Sequence, residues 1–436
     1  MMPKVTSWGR TLTADQHVHE PAFADEVLEM LRRDSPSIGY GLGRSYGDVC
    51  LNDGGSMIRM HRLDRMLSAD WERGIVRAEA GMSLDSLLRI AVPKGWFPPV
   101  TPGTKFVTLG GAVANDVHGK NHEAAGTLGC HIRALGLLRS TGEVMELGPD
   151  RDPGMFAATV GGLGLTGLLL WVELQLTRIG SAWFDTETIK LRNIDDFFDH
   201  ASRSQNWPYT VAWVDCLASG SSLGRGLFTR GRHAETGGLS LHREGSLARV
   251  PMDAPAALLS SPTLRAFNLF YAGRPGAVGV RPVHYDPFLY PLDSIKGWNR
   301  LYGRPGFFQH QSVVPLKSAP EALQKLLELT SARRQGSFLV VLKLFGNRPS
   351  PGFMSFPMEG ATFALDLPNR GTATTNLLAR MAEVVMEAGG RLYPAKDATM
   401  SGEAFRAGYP RWRELEARRD PALMSDFWRR VTREDA

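Results

Sequence analysis

The sequence predicts an α+β chain of two or three domains, and three observations support this. Its 436 residues exceed what one hydrophobic core usually organises. Its glycine-rich loops lead into strands and turns, not into the long helices of a dinucleotide fold. Beyond Arg178 the glycine density falls and longer strands and amphipathic helices take over, which marks a boundary.

Each element follows from local pattern. The loop GLGRSYGD, Gly41 to Asp48, lacks GxGxxG spacing, and the turn residues Asn52 to Gly55 and the short run Ser56 to Met60 follow it. Gly74 to Glu79 reads as a strand. Ser83 to Val92 reads as a helix capped by Ser83, with apolar residues at Leu84, Leu87, Leu88 and Ile90. After the loop WFPPVTPGT, LGGAVANDVHG reads as a helix capped by Thr108 that points its positive end at an anion. Ile132 to Leu138 and Val144 to Leu147 form a predicted hairpin turned at Ser140 to Glu143. Gly162, Gly164 and Gly167 do spell GxGxxG, but Leu168 to Arg178 behind them alternates like a strand.

In the second half, Tyr209 to Cys216, Gly306 to Pro315 and Ser337 to Phe345 read as strands, and Ala319 to Arg333 and Thr372 to Glu387 as helices. Residues 250–287, carrying Pro251, Pro255, Pro262, Pro275 and Pro282 with little periodicity, read as a lid or mobile loop.

Hydrophobic residues make up 43% of the chain and charged residues 22%, an ordinary balance for a soluble enzyme. The net charge of +5 is spread among nearly equal numbers of acids, so no nucleic-acid partner is expected, while an anionic ligand suits it. Cys50, Cys130 and Cys216 show neither zinc spacing nor the even count of a disulfide framework, and are expected to be reduced. With no signal-peptide pattern and no apolar run long enough to span a bilayer, the expected location is cytoplasmic or peripheral to the inner membrane.

Three glycine loops within about 170 residues read together as a flavin cradle, because glycine lets backbone N–H groups converge on phosphate oxygens. The second, Thr101 to His122, presents His118 and Lys120; the third is Ala158 to Gly167. His118 and His122 stand four apart, as metal ligands on a helix do, but Gly119 and Asn121 disfavour a helix there and the zincin glutamate is missing. No metal is therefore expected. Taken alone, His118 reads as a hydrogen-bonded buried side chain, and Lys396 as a solvated lysine after a strand.

The wording and order of GLGRSYGD, PGTKFVTLGGAVANDVHGKNH and FAATVGGLGLTG resemble the FAD domain of the vanillyl-alcohol oxidase/p-cresol methylhydroxylase superfamily. Within it they most resemble the oxidase family that acts on decaprenylphosphoryl-β-D-ribose, the flavoprotein half of an epimerase in cell-wall polysaccharide synthesis. The resemblance continues through YTVAWVD, GWNRLYGRPGFFQHQ, LKLFG and GGRLYPAKD. It implies an FAD-binding domain over 1–180, an α+β substrate domain with an antiparallel sheet over 181–390, and a segment 391–436 that returns to the FAD domain. FAD is expected to be noncovalent, since the first loop has Arg44-Ser45-Tyr46 where covalent members often carry a histidine.

By the same resemblance, Gly41, Gly43, Arg44, Ser45, Tyr46, Gly47, Pro102, Gly103, Thr104, Thr108, Gly110, Gly111, Asn115, His118, Gly119, Gly126, Gly162, Gly164, Gly167 and Lys396 belong to the FAD loops. Lys396, His118 and Tyr46 are the implied catalytic residues. Lys120, Trp213, Leu289, Gln309, Gln311, Lys343, Phe345, Thr362 and Ala364 are the implied substrate residues. The reaction implied is oxidation of a sugar 2-hydroxyl, with hydride passing to flavin N5. The implied partners are a lipid-linked sugar phosphate, a separate short-chain ketoreductase, quinone or oxygen as acceptor, and peripheral contact with a membrane.

Departures fall on the substrate side. Ala364 replaces the family's cysteine, Thr362 an asparagine, Leu289 a tyrosine and Tyr290 a histidine. Two other readings stay open: an aldonolactone or alditol oxidase acting on a soluble polyol, and a noncatalytic flavoprotein.

Overall fold

The computed structural model describes residues 2–242, 248–274, 278–333 and 335–433. Near the N-terminus, the strand Ser56–Arg59 lies between His17–His19 and Ser37–Tyr40 in a small parallel sheet. A five-stranded antiparallel sheet follows, in the order Val144–Leu147, Ile132–Leu138, Leu168–Gln175, Ile75–Glu79 and Met66–Asp70. Its buried face carries Leu135, Leu137, Val172, Leu174, Val76 and Ala78 and packs against the helices Leu84–Ala91 and Leu109–Ala114. Each large apolar side chain buried there contributes roughly 1.5–3 kcal/mol.

Both predicted N-caps form: Ser83 Oγ accepts from the Ser86 N–H, and Thr108 Oγ1 from the Gly111 N–H at 3.1 Å. The GxGxxG of the third loop leads directly into the strand Leu168–Gln175, so it opens no dinucleotide helix.

The second half is organised by an eight-stranded sheet whose central strands are Gly226–His233, Tyr209–Val214, Val340–Phe345, Gly360–Pro368 and Phe307–Val314. Every pairing in it is antiparallel. One face packs Ala212, Phe228, Leu342, Phe363 and Leu365 into a core shared with Leu323, Leu327, Leu377 and Met381 of the helices Ala319–Arg333 and Thr372–Glu387. The other face is open to a cavity.

One expectation needs correcting. Residues 250–287 are not an irregular loop: they contain the helix Ser261–Gly273 and the edge strand Gly279–His284. Pro262 sits in the helix's first turn, where its missing N–H leaves no hydrogen bond unmade, and Pro282 lies on an edge strand. Pro275, with residues 276 and 277, lies outside the described residues. The last segment hydrogen-bonds to the first part of the chain. Ser37 and Leu51 pair with Ala422, Met424 and Asp426 through the backbone, and Arg430 clamps Asp48 at 2.8 Å.

Candidate active site

A cavity of about 700 Å³ lies between the glycine loops and the open face of the large sheet. The loop wall presents Gly41, Gly43, Arg44, Ser45 and Tyr46; Pro102, Gly103, Thr104, Thr108, Gly111 and Asn115; His118, Gly119 and Lys120; and Gly164. Gly43 has φ +64°, and a Cβ there would strike the Tyr40 hydroxyl, so the first loop can follow this path only with glycine.

The sheet wall follows from strand parity. Successive side chains alternate between faces, so Gln309 and Gln311, Thr362 and Ala364, Val341 and Lys343, and Val211 and Trp213 all reach the same space. Leu289 completes the lining, and its carbonyl accepts from Lys120 Nζ at 2.8 Å. The neighbouring Tyr290 is fully buried, with its hydroxyl 2.6 Å from Thr101 Oγ1.

Six expected residues lie off the cavity wall. Gly47 packs against the backbone at Asp397, Gly110 against Ala80, Gly126 against Arg348 and Cys130, Gly162 against Ala158, and Gly167 against Leu137. These five let neighbouring segments approach closely behind the lining. Phe345 shares the parity of Lys343, but at the end of its strand its ring is covered by His118 and His122, with centroids 4.7 and 4.4 Å away.

Lys396 reaches the site across a long sequence separation. The Tyr46 N–H donates to the Ala395 carbonyl at 3.0 Å, which sets the turn Tyr393–Asp397 against the first glycine loop. Lys396 Nζ then sits 4.0 Å from the centre of the Tyr46 ring. Burial pulls its pKa down to about 8, against the opposing pull of the Asp366 carboxylate. Asp366 itself is pushed up to about 7 by burial, although Gln309 Nε2 donates to it and Tyr302 OH lies 3.3 Å away. Sequence reasoning missed Asp366. It was the lone acid in the apolar strand FALDLP, and that isolation was the available signal.

Two more amines converge here. Burial lowers Lys120 to about 8, and burial together with the neighbouring Lys120 and Lys396 charges lowers Lys343 to about 7. Three amines sharing one desolvated space favour an anionic ligand among them.

His118 is held well below its usual pKa, first by burial and then by Lys343. Its Nε2 lies 3.0 Å from the Gln311 side-chain nitrogen, which can only donate. With the amide in this orientation the neutral ring carries its proton on Nδ1, a buried atom with no partner. Asn115 Oδ1 and Thr362 Oγ1 are likewise buried without partners. The His118/His122 pair holds no metal arrangement: His118 lies in a bridge to Thr127, outside the helix His122–Ala125, and no group of three metal-ligating side chains occurs among the described residues.

A glycine-lined wall with buried cations around the same cavity, and polar atoms left unmatched among them, fits FAD. The loops can approach its phosphates and isoalloxazine, and Asn115, His118 and Lys396 can meet its polar edges. Residues 17–148 match the FAD binding domain family, and with a full-length oxidase relative this makes the protein an FAD-dependent oxidoreductase. It is 35% identical to decaprenylphosphoryl-β-D-ribose oxidase of Mycolicibacterium smegmatis, over 98% of this chain and 97% of that one. It belongs to that family of oxidases. An uncharacterised Streptomyces coelicolor protein from the mprA 5′ region is 33% identical over 80% of this chain and its own full length. Bovine L-gulonolactone oxidase is 30% identical, but over only 39% of this chain and 40% of its own.

Proposed function

We propose that this protein oxidises the 2-hydroxyl of a polyprenyl-phosphoryl pentose, of the decaprenylphosphoryl-ribose type, to the 2-ketone. This is the first half of an epimerisation that a separate short-chain ketoreductase completes, with quinone or oxygen as the final electron acceptor. The observation that carries the reading is the trio of buried amines that share the cavity with the glycine loops. A free polyol would leave that charge unmatched, whereas a phosphoryl group answers it.

Bound FAD supplies the hydride acceptor for the C2 hydrogen. Lys396 takes the hydroxyl proton, because an amine lowered from 10.5 to about 8 holds a neutral fraction near neutral pH that a free lysine lacks. The Asp366 carboxylate, held by Gln309, tunes that amine by raising its pKa against the pull of burial. His118 serves as a donor, its Nδ1–H directed by the Gln311 contact on Nε2. Tyr46 supports Lys396 with its ring face. Lys120 and Lys343 hold the phosphoryl group, and Trp213 packs the sugar or the start of the lipid. Thr362, Ala364 and Leu289 set which sugar fits, so substitutions there tune the pentose and leave the flavin site intact.

FAD is held noncovalently. Arg44, Ser45 and Tyr46 occupy the first loop, and His118 is engaged on Nε2 by Gln311. Acid or heat should therefore release the yellow colour into the supernatant; colour that stays with the precipitated protein would contradict this. Anaerobic bleaching of the bound flavin tests the substrate. Decaprenylphosphoryl-ribose should bleach it, and free alditols and aldonolactones should not. Bleaching by the polyols alone would make the protein an alditol or aldonolactone oxidase.

A further inference from the structure

The helix Ser261–Gly273 at the cavity rim is inside out. Its inward side carries Leu264, Tyr271 and the polar Asn268, which is only 1% exposed and donates to Asp215 Oδ1 at 2.6 Å. Its outward side carries Ala266, Leu269, Phe270 and Gly273, one helical stripe by spacing, with Phe270 71% exposed. Val280, on the sheet's edge strand that follows the helix in the chain, and Val278 just ahead of that strand are also exposed, Val280 to 77%. Clustered exposed apolar side chains of this size mark a docking surface.

The charges around this face are mainly cationic: Glu187, opposite Val280 on the neighbouring strand, is paired with Arg230, and the half-buried Asp185 lies opposite Pro282. Arg249, Arg265 and Lys296 are exposed, and Arg274 stacks on Tyr271 at 3.7 Å. The acids of the same stretch are engaged elsewhere: Asp253 with Arg10, Asp286 with Lys105, and Asp293 with Thr104 and the Lys105 N–H. Apolar side chains projecting from a cationic rim are the pattern of a protein lying on an anionic bilayer. The patch is also continuous with the cavity, since Tyr271, Arg274, Arg281 and Lys296 line both the rim and the interior.

We infer that the outer face of Ser261–Gly273, with the edge strand Gly279–His284, seats on an anionic phospholipid surface with the cavity mouth toward the membrane. The lipid tail of the substrate would then stay in the bilayer while its phosphoryl-sugar end enters between the two walls. This part rests on the lipid-linked reading of the substrate; the docking face itself does not.

The test is co-sedimentation of the FAD-loaded protein with vesicles of phosphatidylglycerol and phosphatidylcholine, and with phosphatidylcholine alone, in the absence of substrate. Binding is expected on the anionic vesicles and should weaken with salt. The double variant Leu269→Ser/Phe270→Ser should lose about tenfold or more of that binding, and Arg265→Glu about tenfold. Both should keep wild-type flavin content and wild-type bleaching by a short-chain, water-soluble phosphoryl pentose. Absence of vesicle binding, or equal binding by the double variant, would overturn the docking face. So would a dimer in light scattering that the same double variant abolishes, since the face would then cover a second copy. Failure of the short-chain substrate to bleach the wild-type flavin strikes the substrate reading and leaves the vesicle result standing.

Discussion

The two walls of the cavity are built on different principles. The loop wall works through backbone: Gly41, Gly43, Gly103 and Gly164 bring main chain to the surface, and Gly47, Gly110 and Gly162 let neighbouring segments close up behind it. The sheet wall works through side chains, one from every second position on adjacent strands. Backbone recognition suits a cofactor common to many enzymes, whereas alternating side chains can be exchanged one at a time. The positions at which this chain is expected to depart from its family follow this division. Thr362, Ala364 and Leu289 line the cavity away from the glycine loops.

If the division is sound, substitutions on the two walls should fail in different ways. The largest effect is expected at their meeting point. Lys396→Ala should slow anaerobic flavin reduction by roughly 10²–10⁴-fold while FAD stays bound, measured by stopped-flow absorbance. An unchanged rate would remove Lys396 from proton transfer. Next, Gly43→Val forces a β-branched residue to φ +64° and into Tyr40, so flavin occupancy should fall by about tenfold or more, read from the ratio of flavin to protein absorbance. A variant that kept full flavin but changed its sugar preference would break the comparison.

A smaller effect concerns pH. The neutral fraction of Lys396 grows as pH rises through about 8, so flavin reduction should accelerate over that range and then level off. Asp366 raises the Lys396 pKa, so Asp366→Asn should move the rise to lower pH. A profile that stays in place would mean that another group limits the rate. Smallest of all, Thr362→Asn with Ala364→Cys should shift KM among pentoses by about 10-fold or less, with flavin content unchanged, in steady-state assays.

The sequence made the loop wall legible because turn and close-approach glycines carry their reason locally. The sheet wall was legible only where resemblance supplied its residues. Asp366 passed unnoticed because a single acid in FALDLP reads as a strand interior, and its partners Gln309, Tyr302 and Lys396 come from three other segments. Phe345 was placed in the cavity by the resemblance of LKLFG, which knows nothing of the histidines that cover the ring. The helix Ser261–Gly273 escaped because its apolar stripe faces outward and the prolines scattered over residues 250–287 suggested a loop.

The central claim is that this cavity breaks the C2–H bond of a lipid-linked pentose. Flavin bleaching by decaprenylphosphoryl-ribose carrying deuterium at C2 tests it most directly. The account predicts slower bleaching than with the unlabelled substrate or with deuterium at C3. Equal rates for C2-deuterated and unlabelled substrate, together with slowing by deuterium at C3, would contradict it.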